Sequence, residues 1–551
     1  MKFYDAMARA FAAEGTSQVF GMTGDSNIYW LSALERLGTR FYQVRHEGAG
    51  LAMADGWARM AGAPGVCTTT GGPGAAQLAT TMIVASRART PLVAFCGDTP
   101  TGDEENAQWL DQKAFAEGIE AGFVRVHSAG EAYAATQKAF YIARTQSRPV
   151  LLNVPSELVQ QDIDDDETYI PSHQLLAKQR PVHPHPDAVA EAVGVIAASS
   201  RPVLLVGRGA IRSGAQAQVR ELADRIGAVI ATTLMAKNWL GDYPYHVGLS
   251  GLFATRTAME LFAESDCVIA VGASLNQYTT EHGYLYPDAR FIHLDPRPHA
   301  LMAGQRAADH YLQADAALGL AAVNAALSDQ GVKGDGYHTP EVRERLSRAL
   351  VDPREYEIPP GTIDPREAVR ALDETVPEHI GMVLGGGHQN HFGIMLANRQ
   401  RSWLLPNLHF ACLGQGLTTA MGASIAMGSP AYLMEGDGGL MMHLAEFETA
   451  VRYRIPVMVN VFNDEGFGAE LHHYRGKPHV SLEMIAIPSP DLGAVGRALG
   501  GKGALVRTLD ELRAAALEFA DDPGPMLVDV RVANTVTSIP NRRRYLGEED
   551  Q

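Results

Sequence analysis

The stretch AYLMEGDGGLMMHLAEFETAVRYRIPVMVNVFNDEGFG (431–468) divides into an apolar strand, AYLME, a glycine-rich turn, GDGG, a helix-like segment, HLAEFETAVRYR, and a second apolar strand, PVMVNVF. Strand, helix and strand in that order form a βαβ unit, whose two strands run parallel. Asp437 follows the carboxyl end of the first strand and Asp464 that of the second. Both are therefore expected at one sheet edge, where open α/β sheets bind their ligands. Two side-chain oxygens converging there, beside glycines that let a diphosphate approach, suit Mg²⁺, which takes a few carboxylate or amide oxygens and fills its shell with phosphates. Gly436, Gly438 and Gly439 fit a tight turn whose N–H groups face phosphate oxygens, and the helix start adds a favourable dipole. Either GDGG or NDEG alone is more often a plain turn. Together, 27 residues apart in one βαβ frame, they point to a cation site.

The same rhythm of apolar strand, turn and helix runs through three stretches of the 551-residue chain. Strands are expected near 17–22, 40–45, 65–70, 91–96 and 149–154; near 203–207, 228–234, 267–273 and 290–295; and near 380–385, 402–406, 431–435, 456–463 and 525–532. Nearly continuous apolar strands alternating with helices indicate parallel sheets covered on both faces. The pattern lapses over the charged, proline-rich 160–186 and again over 329–365. Three doubly wound α/β domains are expected, at 1–165, 185–335 and 363–535, with a polar tail at 536–551 that is either a mobile arm or a lid.

Composition narrows the class. The chain is 46% hydrophobic and 20% charged with a formal charge of −17, which is globular and carries no electrostatic footprint for nucleic acid. Four scattered cysteines form no CxxC pair, so reduced, packed thiols in a cytoplasmic protein are expected. The N-terminal MKFYDAMARAFAAEG reads as an amphipathic helix with Phe3, Met7, Ala10 and Phe11 on one face, not as a signal peptide. No apolar run approaches the roughly 20 residues of a membrane span.

The GDG…NDEG segment resembles the cofactor-binding motif of thiamine diphosphate (ThDP) enzymes of the acetolactate synthase, pyruvate decarboxylase and benzaldehyde lyase type. The resemblance extends in order from residue 1 to about 535. It implies that the metal takes side-chain oxygens from Asp437 and Asp464 and the backbone carbonyl of Gly466. The usual second ligand is Asn following another Asn, whereas this chain has Asn463–Asp464. Asp keeps the oxygen and adds a charge; Asn463 takes the place only if the turn is shifted by one residue.

Other segments carry the resemblance further. FYQVRHEGAGLAMADGWARMAG (41–62) is similar to the family's glutamate motif, and the match is Glu47, which implies activation of the cofactor through pyrimidine N1′. CTTTGGPGAAQLATT (67–81) resembles the loop that contacts the cofactor across a dimer, matching Thr70, Gly72, Gly74 and Gln77. GMTGDSN (21–27) is similar to a segment of pyruvate-type decarboxylases whose acid, here Asp25, assists protonation. Gln112, by its spacing to Arg125, matches the substrate-side glutamine of acetolactate synthases. GGGHQNHFG (385–393) implies His388 and Gln389 on the diphosphate, and FACLGQGLTTAMGASIAMG (410–428) implies Leu413 as the apolar wedge beneath a bent cofactor. Glu470 stands where GDxN-type decarboxylases carry a second acid, although an acid at a helix start is as often a favourable cap. His472 and His473 are candidates for the substrate entrance.

The resemblance thus implies attack of the cofactor ylid on a 2-oxo acid, loss of CO₂, and release of an aldehyde or carboligation to an acyloin. Alternatives are a benzaldehyde lyase-like acyloin lyase or ligase, and a catalytically silent ThDP-binding protein. It also implies a homodimer or homotetramer with the cofactor between subunits. The central domain resembles a degenerate nucleotide-binding fold. Where acetolactate synthases carry an arginine-bearing segment for FAD, this chain has Gly272-Ala273-Ser274-Leu275, so no obligatory FAD is expected.

Overall fold

Each of the three strand-rich stretches forms a six-stranded, wholly parallel sheet in the computed structural model. The structure describes residues 1–164, 168–177, 180–298, 308–348 and 352–546; parts of both expected linkers and the last five residues of the tail lie outside the described residues. The first sheet contains β1 (Gln18–Gly21), β2 (Arg40–Gln43), β3 (Gly65–Thr69), β4 (Leu92–Asp98), β5 (Gly122–Arg125) and β6 (Pro149–Pro155) in the order β2-β1-β3-β4-β6-β5. The middle sheet contains β7 (Pro202–Val206), β8 (Val229–Thr232), β9 (His246–Leu249), β10 (Cys267–Val271), β11 (Arg290–Leu294) and β12 (His310–Leu312) in the order β12-β11-β10-β7-β8-β9. The third contains β13 (Gly381–Leu384), β14 (Leu404–Pro406), β15 (Ala431–Gly436), β16 (Val457–Asn463), β17 (Lys502–Val506) and β18 (Met526–Arg531) in the order β14-β13-β15-β16-β18-β17. The central strands β4, β6, β7, β10 and β16 are buried along their whole length, as sheets covered on both faces require.

The chain gathers into two compact units. One comprises Met1–Lys178, Ile358–Gly393 and Arg401–Val536, and so holds the first and third sheets; the other comprises Gln179–Glu357, Ile394–Gln400 and the segment from Thr537. In the first unit a single apolar core joins both sheets, running from Phe20, Leu51 and Met53 to Leu417, Met421, Leu433 and Val459. Its hinge pin is a close pair of helices, Glu47–Ala61 and Gly416–Met427. A Cβ on Gly56 would fall 2.2 Å from the Thr419 carbonyl oxygen, and one on Gly422 would fall 2.0 Å from that of Met53. The small residues of GAGLAMADG and GLTTAMGAS are thus what let two backbones touch. The expected N-terminal helix forms over Phe3–Ala13, with Phe3, Met7, Ala10 and Phe11 at most 1% exposed.

In the second unit the turns after β7 and β10 pack backbone to backbone, a Cβ on Gly207 falling 2.3 Å from the Gly272 carbonyl oxygen. The chain after Thr537 is not a free arm over its described part. Ser538–Arg542 is buried, and Arg542 forms a buried ion pair with Asp352 at 2.9 Å while donating to the Tyr356 hydroxyl and the Thr537 carbonyl. Among the described residues no helix is long and apolar enough to cross a membrane.

Candidate active site

Asp437 and Asp464 stand at the carboxyl ends of β15 and β16, which pair in parallel register from Ala431↔Val457 to Gly436↔Phe462. The GDGG segment, expected as a turn, is the beginning of a helix. Gly436 is its N-cap and Asp437 the first residue of Asp437–Met442. A strand running directly into a helix leaves the first N–H groups unpaired inside the helix and aimed at the sheet edge. Asp437 is 3% exposed and accepts a 2.8 Å hydrogen bond from Ser489 Oγ.

After β16 the chain turns sharply, with Glu465 at φ +60°. The turn is held from both sides. Ile487 N–H donates to the Glu465 carbonyl, Gly466 bridges Ala486, and Arg531 pairs with the Glu465 carboxylate at 2.8 Å. Asn463, the last residue of β16, points into the domain: its Nδ2 donates to Asp529 Oδ1 at 2.9 Å and its Oδ1 accepts from Glu465 N–H. Asp464 points the other way, and a Cβ on Gly468 would fall 2.3 Å from its Oδ2 and 3.3 Å from His388 Cβ.

Both carboxyls hold their protons more tightly than free acids do. Burial first, then the charge of Asp437, pushes Asp464 up to about 8 against the pull of Arg475; burial pushes Asp437 up to about 6. Buried acids at one spot are the electrostatic situation that a divalent cation relieves. Behind them Glu435, 1% exposed, sits in a notch left by Gly385, Gly416 and Gly439, each of whose added Cβ would fall within 2.6 Å of its carboxylate. Among the described residues its Oε2 has no hydrogen-bond partner, and burial pushes its carboxyl up to about 8.

The segment after β13 completes this half of the site. Gly387 adopts φ +118°, and Gln389 donates to the Gly386 carbonyl at 2.6 Å with its Oε1 3.2 Å from where a Gly436 Cβ would be. Leu413, half-buried, reaches within 3.2 Å of a Cβ position on Gly386. His388, Gln389, Leu413, Gly436, Asp437, Gly438, Asp464 and Gly466 are therefore brought to one edge of the third sheet. Gly436, Gly438 and Gly466 pack so closely on Gln389, Phe467 and Ile485 that a Cβ would crowd them, and the bare backbone they bring to this edge suits a diphosphate and its ion. Gly439 belongs instead to the Glu435 notch. His472 is not at an entrance: it is 2% exposed, with its ring 4.2 Å from that of His388. Burial and the surrounding positive groups push His388 well below its ordinary range and His472 down to about 3. Glu470, on the short helix Gly468–Tyr474 that also carries His472, is exposed, and His473 stacks on Tyr474.

On the first sheet a second cluster forms. Glu47 opens its helix, and its Oε1 lies 3.3 Å from a Cβ position on Gly74, which is also within 2.9 Å of Thr70 Oγ1. Gly24 brings the 21–27 loop against Thr70, a Cβ there falling 1.9 Å from Thr70 Cγ2. That loop is pinned by buried Asn27, which accepts from Gly24 N–H and donates to Met22 O and Thr68 Oγ1. Asp25 is exposed at its tip, and Gln77 is exposed at the end of its own short helix. Gly72, at φ +31°, lies against the Gln108 carbonyl. Gln112 is 2% exposed, its Nε2 donating to the Gly97 carbonyl at 2.7 Å. It borders a cavity of about 780 Å³ with Asp98, Trp109, Arg125, His127 and Lys138, in which Asp98 pairs with Arg125 at 3.0 Å.

Three residues absent from the sequence reading organise these clusters: Ser489 on Asp437, Asn27 under the 21–27 loop, and Glu446. The Glu446 carboxylate accepts the N–H groups of both Arg45 and His46 at 2.9 Å, fixing the approach to Glu47. Asn27 and Glu446 stand within the quoted segments 21–27 and 431–468, where no pattern gives them a role; Ser489 lies 52 residues from its partner, so no local pattern marks it.

Each of the three sheet-bearing stretches matches a domain of one family. Residues 1–119 match the family described as "Thiamine pyrophosphate enzyme, N-terminal TPP binding domain", 189–323 its "central domain" and 385–530 its "C-terminal TPP binding domain". The chain is 28% identical to a probable acetolactate synthase large subunit of Methanocaldococcus jannaschii, covering 96% of this chain and 92% of that protein. It is 29% identical to the acetolactate synthase large subunit of Parasynechococcus marenigrum, covering 96% and 87%. A probable acetolactate synthase large subunit of Methanococcus aeolicus is 26% identical over 96% and 91%. With all three domains present in order, the chain belongs to the thiamine pyrophosphate enzyme family.

Proposed function

We propose that this enzyme decarboxylates a 2-oxo acid with the help of ThDP and a divalent ion, Mg²⁺ in the first instance, and joins the remaining two-electron donor to a carbonyl acceptor to give an acyloin. The observation that carries the reading is the convergence of Asp437 and Asp464 in a glycine-rich cradle at one sheet edge. Asp437, Asp464 and the Gly466 carbonyl would hold the ion, and His388, Gln389, Gly436 and Gly438 would receive the diphosphate. Thiamine diphosphate, when bound, supplies a nucleophilic carbon able to store the electron pair left by departing CO₂. Glu47 would hold a proton between its Oε1 and the pyrimidine ring, with Thr70 and Gly74 shaping the space beside it. Leu413 would set the bend of the cofactor by packing alone. Gln112 would orient the acceptor, and Asp25 and Glu470, both at the surface of their clusters, would exchange protons with solvent.

The resemblance to carboligases favours carbon–carbon bond formation over simple aldehyde release, since Gln112 matches their substrate-side glutamine. We further propose a dimer or larger homo-oligomer in which the first sheet of one subunit faces the third sheet of another. Met441 and Met442, 46% and 58% exposed on the helix that starts at Asp437, are apolar surface beside the cradle that such an interface would cover. The replaced arginine of the central domain supports turnover without obligatory FAD.

The test is a panel of 2-oxo acids supplied with ThDP and Mg²⁺, reading CO₂ and acyloin together. Acyloin in near-stoichiometric yield with CO₂ is the expected result. CO₂ with aldehyde alone would replace carboligation by decarboxylation, and cleavage of an added acyloin with no CO₂ from any 2-oxo acid would replace both by lyase chemistry.

A further inference from the structure

His388, Asp464 and His472 each offer one ligand atom, and these three atoms lie within 4.8 Å of one another. The residues come from two separate segments: His388 from the turn after β13, and Asp464 and His472 from the chain after β16. Both histidines are nearly inaccessible, at 5% and 2% exposure, and their rings lie 4.2 Å apart at 35°. Gly468 is the backbone over which the group closes, since a Cβ there would fall 2.3 Å from Asp464 Oδ2 and 3.3 Å from His388 Cβ. A residue with any side chain at 468 would hold the carboxylate and the imidazole apart.

Two imidazoles and one carboxylate are a different donor set from the oxygens of Asp437, Asp464 and Gly466. Mg²⁺ takes oxygen ligands and has little use for imidazole, whereas Zn²⁺, Co²⁺ and Ni²⁺ favour it. Metal–donor distances of about 2.0–2.2 Å place tetrahedral donors roughly 3.3–3.6 Å apart, which small χ rotations of the two histidines reach from the observed spacing. We propose that His388, Asp464 and His472 form a binding site for a first-row transition ion of the Zn²⁺ or Co²⁺ type, sharing Asp464 with the oxygen-lined cradle. Because Asp464 serves both sets of donors, and His388 faces the diphosphate in the reading above, the transition ion and the Mg²⁺-loaded cofactor exclude one another. The site itself stands on the geometry of these three residues. The exclusion rests on the proposed ThDP reading.

The experiment uses the full-length protein, freed of metal with a chelator and titrated with Co²⁺ alone, reading the visible absorption of the bound ion. One equivalent with the intensity of a four- or five-coordinate nitrogen-ligated site is expected. Zn²⁺ should bleach it, and His472→Gln should weaken Co²⁺ binding by at least about tenfold, since even residues behind a ligand affect affinity on that scale. His472→Gln is also measured for ThDP·Mg²⁺ binding by calorimetry; retained binding shows that the variant is folded. No Co²⁺ band, or unchanged Co²⁺ affinity in both His472→Gln and His388→Gln, would overturn the site. ThDP·Mg²⁺ added to the Co²⁺-loaded protein should release the ion. If ThDP·Mg²⁺ binds and the Co²⁺ band persists, the exclusion is wrong. If ThDP·Mg²⁺ fails to bind metal-free protein, the cofactor reading fails while the Co²⁺ site stands.

Discussion

Asn463 donates a 2.9 Å hydrogen bond from its side-chain amide to the fully buried carboxylate of Asp529, directly beside Asp464, whose carboxylate faces the opposite way. Asp529 also accepts from Leu492 N–H and pairs with Arg531 at 3.0 Å, so Asn463 is one of three partners neutralising a buried acid. Two neighbouring residues therefore separate structure from binding. Asn463→Ala should lower stability by about 1–3 kcal/mol, the cost of leaving a buried partner unsatisfied, measured by urea unfolding, and should leave ThDP·Mg²⁺ affinity within a few-fold. Asp464→Ala should abolish metal-dependent cofactor binding in calorimetry, and Asp464→Asn should restore most of it by keeping the oxygen. Cofactor binding lost in Asn463→Ala and kept in Asp464→Ala would reverse the assignment.

Ser489 holds one oxygen of Asp437 at 2.8 Å. Groups that orient a ligand typically contribute about 10–100-fold in metal affinity. Ser489→Ala should raise the Mg²⁺ concentration needed for half-maximal ThDP binding by at least several-fold, with little change in the affinity for ThDP at saturating Mg²⁺. An unchanged Mg²⁺ requirement would make Ser489 a packing residue only.

Most of the fold was legible because buried central strands write themselves as unbroken apolar runs. The four strands not expected from the sequence, β5, β9, β12 and β17, are all at sheet edges. Their burial alternates or is partial, as in HVGL of β9 and KGALV of β17, so each reads as loop. GDGG reads as a turn because glycine is a helix breaker in isolation; here the helix is only six residues long, and the glycines serve the close packing around Glu435 and Phe467. The carboxylates of the site were legible because βαβ topology fixes where strand ends go. The pairing of His388 with His472 was not, because it joins segments more than 80 residues apart by a packing contact that leaves no periodic trace.

Glu47 and Gln112 lie in one domain but are expected to act at different steps. Glu47→Gln keeps the shape of the site and removes the proton-holding carboxyl, so ThDP should remain bound while turnover falls by about 10²–10⁴-fold, the usual contribution of acid–base assistance. Exchange of the cofactor C2 proton, followed by NMR, should slow in parallel. Gln112→Ala should leave that exchange untouched and change the ratio of acyloin to aldehyde. Full activity in Glu47→Gln would sink the proposed mechanism; an unchanged product ratio in Gln112→Ala would take that residue out of acceptor binding.

The buried carboxyl of Glu435 gives the metal-free protein a defined response to alkali. Its folded pKa, about 8, lies above its ordinary value of 4.5, so between these limits the folded chain keeps a proton that the unfolded chain releases. Stability from this group is complete below about pH 4.5 and is lost as pH rises to about 8, by at most about 1.4 kcal/mol per pH unit. Asp464, raised to about 8 from 3.8, adds a slope of the same sign. His472 acts oppositely: lowered to about 3 from 6.5, it contributes stability that is fully present above pH 6.5 and is lost as pH falls toward 3. From pH 4.5 to 6.5 the lowered histidines, His472 and His388, oppose the raised acids, Asp437 among them up to about pH 6, and above 6.5 Glu435 and Asp464 act unopposed. Urea midpoints of the chelator-treated protein should therefore fall more steeply between pH 6.5 and 8 than between 4.5 and 6.5. Glu435→Gln, which stays neutral and fits the same glycine notch, should flatten the upper limb and leave the protein more stable than the parent at pH 8. A parallel decline in both proteins would mean that Glu435 is already ionised in the folded state and is stabilised by partners other than the Gly416 and Gly436 amides.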